Sequence, residues 1–206
     1  MGVPSIILAG GKSKRMGKDK ATLFLNEKTW IENIIEALNS ANCIPITISV
    51  NSKLDIEKLE KYIQHNNIEW VIDNSNFDGM KGGLITSLEY ASKKGWEVVQ
   101  LVSCDVPQID SKLFHLFEEI WQAGNYDIVV PSIRDKNSKS KGIQPLLARV
   151  LVEPYLAELM NSALADRRII GPYSKMHVCV VENVELLKFG IKENCIKNFN
   201  TPEDII

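Results

Sequence analysis

The chain has 206 residues, 45% hydrophobic and 24% charged, with a formal net charge of -2. That is enough apolar material for one globular domain with a real core and no need of disulfides or a structural metal. The near-neutral balance excludes a global positive field for nucleic acid or an anionic membrane, so any anion has to be held by a local site. The four cysteines, Cys43, Cys104, Cys179 and Cys195, form no Cys-x-x-Cys pair, which argues against a zinc cluster and fits a reducing compartment. The apolar opening run over 3–8 is short, and positive charges follow rather than precede it. That is the wrong order for a signal peptide, and no stretch approaches the length of a membrane span. The expected location is the cytoplasm.

In chain order, short apolar runs alternate with longer amphipathic ones, the pattern of βαβ units and a mainly parallel sheet. Strands are expected over 4–8, 44–50 and 69–72. Helices are expected over 30–38, where Trp30, Ile31, Ile34, Ile35 and Leu38 form a stripe, and over 53–63. A helix over 84–91 precedes a buried strand over 98–102 that ends at Cys104-Asp105, with Pro107 as the stop. A helix over 112–123 and a strand over 126–130 follow. The polar, lysine-rich stretch 132–142 has no periodicity and reads as a mobile loop. Then come a strand over 145–148, a helix over 150–159, a strand over 176–181 and a short closing helix. No internal repeat or linker interrupts the chain, so a single domain over 1–206 is the simplest reading.

The segment from Leu8-Ala9-Gly10-Gly11 to Lys20 follows the first strand directly, at the edge where open α/β sheets place ligands. Consecutive glycines let the backbone approach a ligand and aim N–H groups at phosphate oxygens, and Arg15 and Lys20 add positive charge for a polyphosphate. A Walker A loop is excluded, because five residues separate Gly11 from Gly17-Lys18 and Asp19 stands where the hydroxyl belongs. The dinucleotide fingerprint Gly-x-Gly-x-x-Gly is absent as well. An ordinary basic surface loop is the bland alternative. At the end of the 98–102 strand, Ser103-Cys104-Asp105-Val106-Pro107 puts a carboxylate beside that loop. Mg²⁺ needs only one or two carboxylates plus phosphate oxygens and water; an aspartate in this pattern also suits a turn.

The glycine segment resembles the signature of the molybdenum cofactor nucleotidyltransferases, Leu-Ala-Gly-Gly-x-Ser-x-Arg-Met-Gly-x-Asp-Lys, with every fixed position present. Within that group the chain is most similar to the MobA-like guanylyltransferases, because the cytidylyl relatives read Leu-Ala-Ala-Gly at the start. The resemblance runs along nearly the whole chain. It implies a three-layer α/β/α Rossmann-like nucleotidyltransferase fold. It also implies that GTP and molybdenum–molybdopterin are the substrates, with Mg²⁺ held by Asp105 and molybdoenzymes or their chaperones met transiently as recipients.

The same resemblance assigns Leu8, Ala9, Gly10, Gly11, Lys20, Asn51, Asp73 and Asp105 to the nucleotide, with Arg15, Lys20 and Asp105 catalytic. It assigns Gly79, Gly83, Asn198 and Asn200 to the pterin. The family's Gly-Pro-Leu-Ala-Gly reads Gly79-Met80-Lys81-Gly82-Gly83 here, so the loop keeps its glycines but not its Pro and Leu. Asn198 and Asn200 alternate on an expected strand before Thr201-Pro202-Glu203-Asp204, which reads as an N-cap, a first-position proline and first-turn acids. Lys136, Lys139, Lys141, Arg167 and Arg168 are candidates for the pterin phosphate, or simply a solvated basic face. His65, His115 and His177 have no metal-ligand spacing and read as structural or surface residues. Lys20 and Asn200 are expected on opposite walls of one cleft, each serving one substrate. Three alternatives remain: a cytidylyl-type transferase, a sugar-phosphate-type transferase, and a nucleotide-binding regulatory protein without turnover.

Overall fold

Ile6, Ile7 and Leu8 of the first strand, β1 (Ser5–Leu8), are all buried, which requires helices on both faces of the sheet around it. The computed structural model describes residues 2–10, 20–63, 67–73, 79–134, 141–162, 168–200 and 204. After β1 come a hairpin of β2 (Phe24–Leu25) and β3 (Lys28–Thr29), then α1 (Trp30–Ser40), β4 (Ile46–Val50), α2 (Lys53–Leu59) and β5 (Ile68–Ile72). Next are α3 (Met80–Lys93), β6 (Val98–Ser103), α4 (Ser111–Ala123), β7 (Ile128–Arg134), β8 (Lys141–Ile143) and β9 (Leu147–Leu151). The described chain closes with α5 (Val152–Asn161), β10 (Val178–Val181) and α6 (Asn183–Lys188).

The main sheet has the order β10-β7-β9-β6-β1-β4-β5, with β8 attached to β7. The strands β6, β1, β4 and β5 are parallel neighbours. Antiparallel β9 lies between β6 and β7, and β10 runs parallel to β7. From β1 the chain moves outward through β4 to β5, then returns to place β6 on the other side of β1. That reversal is a topological switch point, where a crevice opens outside the carboxyl ends of β1 and β6.

Alternation along each strand feeds two cores. Ile7, Ile48 and Val102 meet Ile31, Ile34 and Leu38 of α1 and Phe114 and Phe117 of α4. Ile6, Leu8 and Leu101 meet Leu84 and Leu88 of α3 and Tyr155 and Leu159 of α5. This is the expected mainly parallel three-layer α/β/α architecture. Among the described residues no helix is long and apolar enough to cross a membrane.

Besides the β2–β3 hairpin and α6, for which no element was expected, the structure departs from the sequence expectations in three places. The stretch 132–142 is not a loop throughout: β7 and β8 run into it from both sides, pairing Ser132 with Ile143 and Arg134 with Lys141. Beyond its pairings with β10 and β9 the end of β7 meets β8 alone, and such a two-stranded ribbon needs little apolar alternation, so its polar composition hid it. Helix α3 begins at Met80, not Leu84, because Gly82 and Gly83 occupy its first turn; glycine's low helix propensity gives way to packing there. The segment 197–200 around the two asparagines is extended but belongs to no strand.

Arg149 on β9 is 1% exposed. Its guanidinium pairs with Glu118 of α4 and donates to the Phe114 carbonyl at 3.5 Å, while Nε has no partner among the described residues. A buried cation stripped of its only anion is more costly than no cation at all. Glu118→Ala should therefore destabilise the protein by about 2–4 kcal/mol, whereas Arg149→Met should cost less than half of that. Urea unfolding of the two variants checks this, and in the Arg149→Met background Glu118→Ala should be nearly neutral.

Candidate active site

The ladder bonds continue past the strand ends and bring the loops into register. Ala9 N–H donates to the Ser49 carbonyl at 2.9 Å, Asp73 N–H to Val50 at 2.8 Å, and Cys104 N–H to Leu8 at 3.2 Å. Gly10, Asn51, Asp73 and Asp105 are thereby set along one edge. A Cβ on Gly10 would lie 2.9 Å from Asn51 Oδ1, so the absence of a side chain at Gly10 is what lets Asn51 lie against the loop. Thr86 Oγ1 donates to Asp73 Oδ1 at 3.1 Å, and a Cβ on Gly83 would stand 3.6 Å from Asp73 Oδ2. Asp73 and Gly83, assigned to different substrates, are thus neighbours.

Lys20 opens a short 3-10 turn, Lys20–Thr22, immediately before the hairpin. Its ammonium donates to the Phe199 carbonyl and to Asn200 Oδ1, each at 2.8 Å, and lies 4.0 Å from Asp105 Oδ2. Asp105 in turn accepts the Phe199 N–H on its backbone carbonyl at 2.8 Å. The expectation that Lys20 and Asn200 occupy opposite walls is therefore wrong. The extended segment folds back over the crevice and joins them in one cluster, and a residue 180 positions away leaves no local signal of that. The two side chains are direct hydrogen-bond partners rather than members of separate walls.

Asp105 is the group of the cluster whose ionisation burial opposes. Its side chain is 17% exposed, and Oδ1 is buried without a partner among the described residues. Burial raises its carboxyl above the ordinary value, and the Ser103 hydroxyl and the Lys20 ammonium pull it back. A carboxylate oxygen without a partner at a strand end is a ligand that a hard divalent cation can use. No group of three or more His, Cys, Asp or Glu capable of holding a metal occurs among the described residues, so Asp105 would need phosphate oxygens and water to complete a coordination shell.

At the start of α3, Gly79 has φ 72 with nothing within 4 Å of where a Cβ would be. Its constraint is torsional, and the helix begins without a side-chain cap. The Gly82 and Gly83 N–H groups donate back to the Gly79 carbonyl at 3.1 and 3.3 Å, which closes the first turn on the glycine itself. Lys81 in the same turn is 4% exposed and donates to Ser162 at the end of α5 at 3.2 Å; its position in the altered glycine loop was noted from sequence, its burial was not. Asn198 is half-buried and Asn200 exposed, flanking buried Phe199. Phe199 was missed altogether, since an aromatic between two asparagines carries no motif. Arg168 is exposed, and only the backbone of Lys141 is described. Gly11, Arg15, Lys136, Lys139, Arg167, Thr201 and His65 lie outside the described residues.

A cavity of about 900 Å³ opens at the opposite, amino edge of the sheet, among Val3, Pro45, Ile68 and Trp96. Glu97 is the one charged residue lining it among the described residues, so it has no cation with which to hold a polyphosphate.

Two predictions follow from this geometry. Because the folded Asp105 carboxyl lies above its unfolded value, native protein holds a proton that unfolded chain releases, and stability falls as pH rises from about 3.9 through that window. At neutral pH, in metal-free buffer, Asp105→Asn should melt at the same temperature as the parent or higher; a clear drop would make the carboxylate a structural ion-pair partner instead. Gly10→Ala should displace Asn51 and weaken nucleotide binding with little change in melting temperature, read by calorimetry alongside the melt.

Comparison with known proteins bears on this arrangement. A family described as the MobA-like NTP transferase domain matches residues 5–177. A molybdenum cofactor guanylyltransferase of Vibrio campbellii is 31% identical over 201 residues, covering 97% of this chain and 91% of the relative. Among solved structures, molybdopterin-guanine dinucleotide biosynthesis protein A of Archaeoglobus fulgidus superposes with a TM-score of 0.76 at 23% identity, covering 98% of this chain and 95% of the other. The 4-diphosphocytidyl-2C-methyl-D-erythritol synthase of Anaerococcus prevotii gives 0.75 at 14% identity, covering 99% and 94%. Both structures share the fold, and since their names differ in the base, fold alone does not decide between bases. The family match takes in the glycine loop, Asn51, Asp73 and Asp105, the whole edge built by the parallel strands, and this chain belongs to the MobA-like NTP transferase domain family.

Proposed function

We propose that the chain, acting as one domain, transfers GMP from GTP to the terminal phosphate of molybdenum–molybdopterin, releasing pyrophosphate and giving the guanine dinucleotide form of the cofactor. The name of the Vibrio campbellii relative supports the activity. The observation that carries the reading is Asp105, with an orphaned oxygen and Lys20 at 4.0 Å, at the switch point of the sheet. The reaction belongs in the cytoplasm in this reading, where the four free cysteines stay reduced.

In this mechanism Asp105 holds a divalent cation, Mg²⁺, which when bound neutralises charge on the triphosphate. Lys20 and Arg15 draw the phosphates into line, the loop that follows Leu8 and Ala9 lies against them, and the N–H groups of Gly10 and Gly11 cradle them. Asn51 and Asp73 meet the nucleoside, and a carboxylate at Asp73 accepts from the N1–H and amino group of guanine. Gly79, Gly83, Asn198 and Asn200 seat the pterin. An oxygen of the pterin phosphate forms a bond to the α-phosphorus of GTP while the bond from that phosphorus to the bridging oxygen breaks, and pyrophosphate leaves with the electron pair. The attacking phosphate is already anionic at neutral pH, so no general base is needed and positioning carries the catalysis.

The test is a transfer assay with GTP and with CTP. GTP should be preferred by a large factor, because the wrong base leaves buried polar groups unpaired. Asp105→Asn should fold normally and lose metal-dependent transfer by at least about 100-fold, as expected when charge stabilisation at the reacting phosphate is removed. Preference for CTP would move the chain to the cytidylyl type, and normal turnover by Asp105→Asn at saturating GTP would remove Asp105 from the metal.

A further inference from the structure

A lysine on a four-carbon stem is a mobile charge, and a catalytic site needs that charge in one place. Here the place is fixed from far along the chain. The Ile196 carbonyl is held by Gln144 Nε2 at 3.0 Å, in a buried hydrogen bond. Three residues on, the ring of Phe199 is 4% exposed and meets Trp30 edge-to-face, with centroids 5.7 Å apart. The Phe199 N–H is bonded to the Asp105 carbonyl, and the N–H of Asn200 donates to Asp204 Oδ2 at 2.8 Å. Between these anchors, the Phe199 carbonyl and the Asn200 side chain accept two N–H bonds of Lys20.

We infer that Phe199 is a positioning residue for Lys20. With its ring locked against Trp30, the segment 196–200 acts as a strap whose backbone carbonyl and neighbouring amide hold the ammonium beside Asp105. The inference rests on the proposed role of Lys20 toward the triphosphate and adds a residue that touches no substrate. The strap joins the loop after β1 to the end of β6 through a third segment, so the lysine and the carboxylate share one frame. Loss of the Phe199 ring frees the strap, and the ammonium then samples many positions, few of which meet a bound phosphate.

A double-mutant cycle on the full chain tests this, with the dissociation constant of the triphosphate measured by calorimetry and a thermal melt beside it. Phe199→Ala should weaken GTP binding about tenfold in the parent and less than about twofold in the Lys20→Ala background, the non-additivity expected of residues acting through one another. The melting temperature should fall equally in both backgrounds, which separates the positioning role from a merely structural one. Equal weakening of GTP binding in both backgrounds overturns the inference. Should Phe199→Ala fail to fold, Asp204→Ala, which releases the Asn200 N–H and the Lys197 ammonium from one half-buried carboxylate, runs through the same cycle with an expected threefold effect, about 0.65 kcal/mol at RT of about 0.59 kcal/mol. ATP and CTP are titrated in parallel. If the parent binds one of them instead of GTP, the guanylyl reading fails while the cycle, run with that nucleotide, still decides the strap; if it binds none, both fail.

Discussion

The site depends on the parallel alignment of β6, β1, β4 and β5. Four strands pointing one way bring four carboxyl ends to one edge, and the backbone bonds beyond those ends, such as Cys104 N–H to the Leu8 carbonyl, fix the loops relative to one another before any side chain contributes. Reversal of the strand order at β1 opens the crevice between β1 and β6. Antiparallel β9 beyond β6 delivers Gln144 to the same edge and so supplies an anchor for the chain's last described segment. Gly10 then acts by omission, leaving room for Asn51.

Electrostatics gives that edge its direction. A carboxylate in the crevice is costly to ionise, and Lys20 at 4.0 Å offsets only part of the cost, since burial is the largest influence on Asp105. A carboxylate that burial disfavours and an ammonium thus stand side by side at the strand ends. Arg149 presents the opposite arrangement. It is more deeply buried and held by Glu118 and a carbonyl, with Nε left without a partner among the described residues, and it lies within β9 away from the strand ends, where it serves the fold.

Much of this was legible in the sequence, for reasons that differ by residue. The glycine loop and Asp105 stand directly after apolar strands, and a strand that stops at a polar residue declares its own end. The alternation of apolar runs carried the three-layer fold. What escaped was whatever depends on distant partners. Gly82 and Gly83 read as loop because propensity speaks before packing does. The ribbon of β7 and β8 hid in lysines because a two-stranded pair needs no buried face. Asn200 was noticed through its motif but set on the wrong side of the crevice, because periodicity carries no information about what lies opposite. Phe199 carried no local mark at all; its importance arises from Trp30 and Lys20, both more than 160 positions earlier.

That separation has a consequence in time. The hydrogen bond from Lys20 to Asn200 spans 180 positions, so during synthesis the lysine emerges long before its acceptors exist. At typical translation speeds the interval is roughly 10–40 s, ample for β1, β4 and β5 to pair and for most of the sheet to assemble around an unfinished crevice. A nascent chain can thus acquire its core, and with it resistance to proteolysis, while the ammonium is still untethered. The tether of Lys20 is thus made later than the strands that frame it.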